Sequence, residues 1–209
     1  MNNAHQPLDN PPTSLLARQT NGQVIRWPIF YELILWLTTG GKESAFRRYA
    51  MQLTDLQPGE AVLDVGCGTG SMAILARELV GETGRVSGFE PSPEMISFAR
   101  RKAARRKLSV DFRTGVIEHI DYPAGSFDVL FCLIVMHHMP DETKLLGIKE
   151  MARVLKPGGR LLVVDSNLQL LPPFEQHGFV ALRTGPMPIV RGYDFTLWQR
   201  TGPSTPEQR

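Results

Sequence analysis

Val62-Leu63-Asp64-Val65-Gly66-Cys67-Gly68-Thr69-Gly70 decides the fold. An apolar run of strand character ends in Asp-x-Gly-x-Gly-x-Gly and passes directly into a helical pattern over 71–80. Glycines at alternate positions let the backbone turn tightly and leave main-chain atoms open to a ligand at the start of a helix. The dinucleotide fingerprint G-x-G-x-x-G would need glycine at position 71, which is Ser71, so a pyrophosphate loop is disfavoured.

Outward from this loop, short apolar runs alternate with amphipathic segments, the pattern of a parallel sheet covered by helices on both faces. Strands are predicted at 61–65, 85–90, 108–113, 127–133 and 160–165. Ser92 reads as the cap of a helix starting at Pro93, and Asp141 as the cap of one reaching about Leu155. Lys156-Pro157-Gly158-Gly159 then stops that helix and turns the chain into the next strand. A short helix around 172–177 and two β-rich segments, 179–184 and 193–201, complete the pattern. The expected fold is therefore α/β: a Rossmann-like three-layer sandwich whose seven-stranded, mostly parallel sheet ends in an antiparallel hairpin. Upstream, Ile29, Leu33 and Leu37, then Phe46, Tyr49 and Leu53, recur at helical spacing on either side of Gly40-Gly41. This predicts two N-terminal helices.

The 209 residues suit one domain with extensions: a loose arm over 1–23, a helical lid over 24–57, the main domain over 58–200 and a loose tail over 201–209. At 42% hydrophobic and 21% charged, the chain falls outside the disordered, collagen-like and membrane-embedded classes. A net charge of +2 is too weak to argue for nucleic acid. Cys67 and Cys132 are too few for a disulfide framework and read as free thiols in a reducing compartment. Residues 1–10 lack a basic cluster and an apolar run, so a cytoplasmic protein is expected. The apolar stretch 27–37 is about half a bilayer crossing, and Glu32 interrupts it. It is too short to span, though a surface contact fits it.

Glu90 ends the second strand where doubly wound nucleotide sites place a ribose-binding carboxylate. With the glycine loop, four further blocks stand in order: Gly88-Phe89-Glu90-Pro91-Ser92-Pro93-Glu94-Met95, Gly125-Ser126-Phe127-Asp128-Val129, Met136-His137-His138 and Arg153-Val154-Leu155-Lys156-Pro157-Gly158-Gly159. Together they resemble a class I S-adenosylmethionine-dependent methyltransferase of the type similar to quinone-biosynthesis and small-molecule enzymes, over about residues 31–198. The resemblance implies S-adenosyl-L-methionine as cofactor, with Asp64 and the backbone of Gly66, Cys67, Gly68 and Gly70 at its methionine end. It implies Glu90 on the ribose, and Pro91 and Met95 near sugar and adenine. Val116, Ile117 and Cys132 complete the implied cofactor set. Val116 stands where relatives often carry an aspartate for the adenine amino group, so that contact is expected to be apolar or through the backbone, one hydrogen bond or about 1 kcal/mol poorer.

Methyl transfer from a sulfonium is an in-line displacement, difficult chiefly in its geometry. His137 or His138, just past the fourth strand, is the candidate base for deprotonating an acceptor; a structural role for the pair is the competing reading. Five histidines with no clustered carboxylate support no zinc site. The cations from Arg100 to Lys107 read as a solvated helix end, with an anionic partner as the alternative. Trp27, Phe30, Tyr31, Leu35 and Trp36 read as packing on the sheet or as a lid. Because only about a dozen residues join the fifth strand to Gly178, the acceptor pocket is expected from the N-terminal helices, the His137 region and the 186–191 loop, or from a second subunit in a homodimer. The expected activity is methyl transfer to a small lipophilic acceptor, with peripheral membrane contact compatible. A phospholipid or macromolecule methyltransferase and a non-catalytic cofactor-binding module are the alternatives.

Overall fold

The computed structural model describes residue 22, residues 24–38 and residues 40–202. The expected arm over 1–23 and the tail beyond 202 lie almost wholly outside the described residues. Thr201, at the start of that tail, donates from its backbone and its hydroxyl to the Gly178 carbonyl.

Seven strands form one sheet: β1 (Ala61–Val65), β2 (Arg85–Glu90), β3 (Asp111–Thr114), β4 (Phe127–Leu133), β5 (Leu155–Asp165), β6 (Phe179–Pro186) and β7 (Asp194–Arg200). Their order is β3-β2-β1-β4-β5-β7-β6. Strands β1 to β5 pair in parallel, and β7 runs antiparallel to both β5 and β6. The expected architecture is the one found. Every residue of β1 is buried, because a central parallel strand is covered on both faces; this is why Ala61 to Val65 reads as a continuous apolar run broken only by Asp64. Val62, Phe131 and Leu162 point to one core, with Ile74, Ala99 and Phe112. Leu63, Leu130 and Leu161 point to the other, with Ile148 and Met151.

Helices α1 (Pro28–Thr38), α2 (Glu43–Thr54), α3 (Ser71–Leu79), α4 (Pro93–Arg105) and α5 (Asp141–Val154) supply the outer layers. Ser92 caps α4 as expected, its hydroxyl accepting from the Met95 amide, with Pro93 at the first helical position. Asp141 is not a cap. It is the first residue of α5, behind Pro140, and its carboxylate pairs with Lys144 one turn on. The third strand begins three residues later than its apolar pattern suggests, because Leu108 closes α4: its amide donates to the Ala103 carbonyl. Leu155 already pairs with Phe127, and Lys156 to Gly159 form an irregularity before Arg160 resumes the ladder opposite Val129.

Two expectations for apolar segments fail. Trp27, Phe30 and Trp36 do not pack on the sheet; they are exposed on and beside α1, while the side chains of Tyr31 and Leu35 lie outside the described residues. Within the 186–191 loop, Met187 and Val190 turn into the core beside α2 instead of lining a pocket.

The sheet order reverses between β1 and β4, which lead away from their carboxyl ends in different directions. In a doubly wound sheet this switch point opens a crevice. The glycine loop and the Met136–His138 turn sit on its two sides.

Candidate functional site

Strand β1 delivers the glycine loop to this crevice. The amides of Gly66 and Cys67 both donate to the Phe89 carbonyl, at 2.7 and 3.0 Å, fastening the loop to the end of β2. Gly66 adopts φ +70°, and a Cβ there would lie 2.6 Å from the Val135 side chain across the crevice. The bare backbone is thus what lets the two walls approach this closely. Gly70 differs, because a Cβ on it would meet Ala99 and Phe112 at 2.7 Å. It serves the packing of α3 and faces away from the open space of the crevice.

Two compartments meet at Gly66 and Ile134. The larger, about 820 Å³ including its open mouth, is walled by Gly68, Glu90, Pro91, Met95, Val116 and Ile117 on one side and by Val135, His138 and Met139 on the other. Val24 and Ile25, from the segment before α1, complete it. The smaller, about 480 Å³, holds Asp64, Cys67 and Thr69 with Arg47 of α2. Ile134, between them, has φ +61°, a strained conformation for a β-branched residue of the kind that clusters at functional sites.

Glu90 is buried with each carboxylate oxygen partly engaged: one accepts from the Gly68 amide at 3.2 Å, the other from the Ser92 amide at 3.1 Å. Burial pushes its pKa up to about 7 against the pull of those two amides. Asp64 accepts from the Ala73 amide in the first turn of α3, and burial raises it likewise to about 7, opposed by that amide and by the positive charge of Arg47. Two buried carboxylates that form no ion pair among the described residues suit a ligand that brings donors and positive charge. S-adenosylmethionine brings both: ribose hydroxyls for Glu90, an ammonium for Asp64 and a carboxylate for Arg47. Met95, Val116 and Ile117 offer an apolar slot for a flat base, as the valine at position 116 implies.

Of the other expected residues, Cys132 is wholly buried in the core beneath β4 and lines neither compartment. It does not contact the space a cofactor would fill, because its strand position faces the α5 side. Both cysteines are free, and burial pushes both thiols up. The histidines separate. His138 lines the main cleft, whereas His137 Nδ1 is held by Asp165 Oδ1 at 2.7 Å. The two rings lie 3.8 Å apart. Burial, then the adjacent His137, holds His138 below the usual imidazole range, against the opposing charge of Asp165. Asp165 also accepts from the amides of Val135, Met136, His137 and Ser166.

Four contributors are not marked in the sequence pattern: Arg47, Asp165, Ile134 and the Val24-Ile25 segment. A charged residue ending β5 opposite β4 is the one available signal, for Asp165. Four of the six cations from Arg100 to Lys107 are engaged: Arg100 with the Phe112 carbonyl, Arg101 with Ser97, Lys102 with Glu32 and Ser71, and Arg106 with Glu78. This matches a solvated helix end more than an open anion site.

A family model described as a methyltransferase domain matches residues 56–182, from just before β1 into β6. The demethylmenaquinone methyltransferase of Halalkalibacterium halodurans is 31% identical over 174 residues, covering 80% of this chain and 70% of the relative. That of Bacillus cereus is 28% identical over 181 residues, covering 84% and 75%. Among solved structures, an S-adenosylmethionine-dependent methyltransferase from Aquifex aeolicus superposes with TM-score 0.64 at 22% identity, covering 74% of this chain and 89% of that one. The cyclase SpnF superposes at 0.67, also with 22% identity, over 75% and 80%. Since one fold hosts a cyclase and a methyltransferase, the architecture does not decide the activity. The matched sequence model and the curated relatives do: this chain belongs to the methyltransferase-domain family and is an S-adenosylmethionine-dependent methyltransferase.

Proposed function

We propose that the chain methylates the reduced, quinol form of a small lipophilic quinone, the class that its curated relatives are named for, and that His138 is the base. The observation that carries this reading is the main cleft itself. Glu90 and the glycine loop stand on one wall, while Val24, Ile25, Val135 and Met139 give the other an apolar surface with His138 among them. Bound cofactor supplies a methyl group on a sulfonium, ready for in-line displacement. The chain's own residues bind, orient and deprotonate.

Asp64 and Arg47 would hold the methionine end of the cofactor and Glu90 its ribose. The apolar wall excludes water and orients the acceptor. His138, kept neutral by its surroundings, accepts the acceptor hydroxyl proton. His137 is a positioning residue: fixed by Asp165, it backs the His138 ring. Peripheral membrane contact follows from the same acceptor class, since a quinol with an apolar tail resides in lipid.

The test is incubation with S-adenosylmethionine and a panel of quinols, phenols, amines, phospholipids and RNA, measuring S-adenosylhomocysteine release and product mass. Quinol-dependent release is expected, with kcat of His138→Gln reduced by about 10²-fold or more and His137→Gln less affected. Release with phospholipid or RNA alone would overturn the acceptor class. Cofactor binding with no release on any acceptor would favour the non-catalytic module.

A further inference from the structure

We propose that α1 is an interfacial helix that seats the chain on an anionic lipid bilayer beside the mouth of the cleft. The proposal deepens the quinol reading and rests on it for its purpose, by naming where the acceptor is met. Of the eleven residues in α1, Glu32 alone is charged. Its carboxylate turns toward the body of the protein, where it accepts from Lys102 at 2.5 Å and from the Thr69 hydroxyl at 2.8 Å. The rest of its outward arc is apolar and exposed: Ile29 is 73% exposed, Phe30 65%, Leu33 50%, Ile34 58% and Leu37 60%. At 100° per residue these positions with Trp36 sweep about 160°, a little under half the helix circumference. Such a helix, about 16 Å long, cannot cross a bilayer, but its apolar half-cylinder suits burial at the headgroup boundary. No helix among the described residues is long and apolar enough to cross.

Charge and aromatic placement select lipid over a protein partner. Exposed Arg26 and Trp27 precede the helix, and exposed Trp36 and Lys42 mark its other end, with exposed Arg48 one turn into α2. Tryptophan and a cation at both ends of an apolar helix match the level of lipid phosphates and glycerols. The ion pair with Lys102 neutralises the single carboxylate within α1. Val24 and Ile25, which line the cleft, lead straight into Arg26 and Trp27, so the segment that walls the compartment runs directly into the exposed helix.

The full-length chain is co-sedimented with vesicles of phosphatidylcholine alone and of phosphatidylcholine with phosphatidylglycerol, while tryptophan emission is recorded. Binding to the anionic vesicles with a blue shift is expected, weakening as salt rises. The triple variant Ile29→Gln, Leu33→Gln, Leu37→Gln should bind at least about tenfold more weakly at an unchanged thermal midpoint, since all three side chains already face solvent. Arg26→Gln and Lys42→Gln should each cost about fivefold, the equivalent of ~1 kcal/mol per cation near the surface. Vesicle binding equal in wild type and triple variant overturns the proposal. So does no binding to either vesicle, or a concentration-dependent dimer that the triple variant dissociates while vesicles are ignored. A water-soluble short-chain quinol assayed without lipid separates the two readings: turnover there with no vesicle binding removes the membrane and leaves the acceptor class standing.

Discussion

Asp64 and Glu90 each sit buried with a pKa of about 7, raised by burial above the ordinary carboxylate value near 4. Between those limits the folded chain holds protons that the unfolded chain has released. Stability of the cofactor-free protein therefore falls as pH rises from about 4 to about 7 and stays lowered above it. Asp64→Asn keeps an oxygen for the Ala73 amide and removes the buried charge. At pH 8 it should raise the unfolding free energy of the cofactor-free chain by on the order of 1 kcal/mol or more, seen by calorimetry as a gain of a few degrees. Titration should show its cofactor affinity down by tenfold or more; a lower midpoint with undiminished affinity would refute both assignments. Both carboxylates are legible in the sequence, because a strand followed by glycines, and an acid ending the next strand, place them without knowledge of packing. Arg47 is not legible. Its helix announces only an amphipathic face, and nothing local says that this face reaches a carboxylate at the end of β1.

The Met136–His138 turn shows how one side chain can build an element. Asp165 Oδ2 accepts from the amides of Val135, Met136 and His137 at 3.2, 2.8 and 3.3 Å. Oδ1 takes the His137 ring and the Ser166 amide. Asp165→Ala leaves these donors unpaired in a largely buried place and should destabilise the chain by on the order of 3 kcal/mol in chemical denaturation. Asp165→Asn, which retains an acceptor oxygen, should recover much of the stability but less of kcat, because the ring of His137 loses its charged partner. The sequence shows that two histidines follow β4. Which of them faces the cleft depends on the register of β4 against β5, where Cys132 pairs with Val163 and Leu133 with Val164, bringing Asp165 beside the turn. Strand positions are readable because burial on both faces leaves an apolar run. The start of β3 is not, because the apolar Leu108 and Val110 serve the end of α4 and the partly buried margin of the core.

At the scale of the whole chain, the seven strands and the antiparallel hairpin that ends their mostly parallel sheet follow from pattern alone, whereas the spatial order of the strands and the placement of α1 do not. Helical spacing predicts that an apolar stripe will be covered, and here most of the described stripe is exposed. The same helix touches the cofactor loop through one carboxylate: Glu32 binds Thr69, within the glycine loop, and Lys102, which also donates to Ser71 at the start of α3. Burial tends to raise the Glu32 pKa, but the Lys102 and Thr69 hydrogen bonds outweigh it and hold the carboxyl below its ordinary value. Its share of the fastening is thus present above the ordinary carboxylate range and lost in stronger acid, as pH falls through the lowered pKa. Glu32→Gln should leave each separate affinity within a few fold yet abolish any dependence of one on the other, read by titrating cofactor with and without anionic vesicles. Linkage of this kind has no direction. By whatever factor a lipid surface tightens the grip on S-adenosylmethionine, the methyl donor must tighten the grip on that surface, so a chain charged with donor would dwell where acceptor is dissolved and a spent one would be freer to leave.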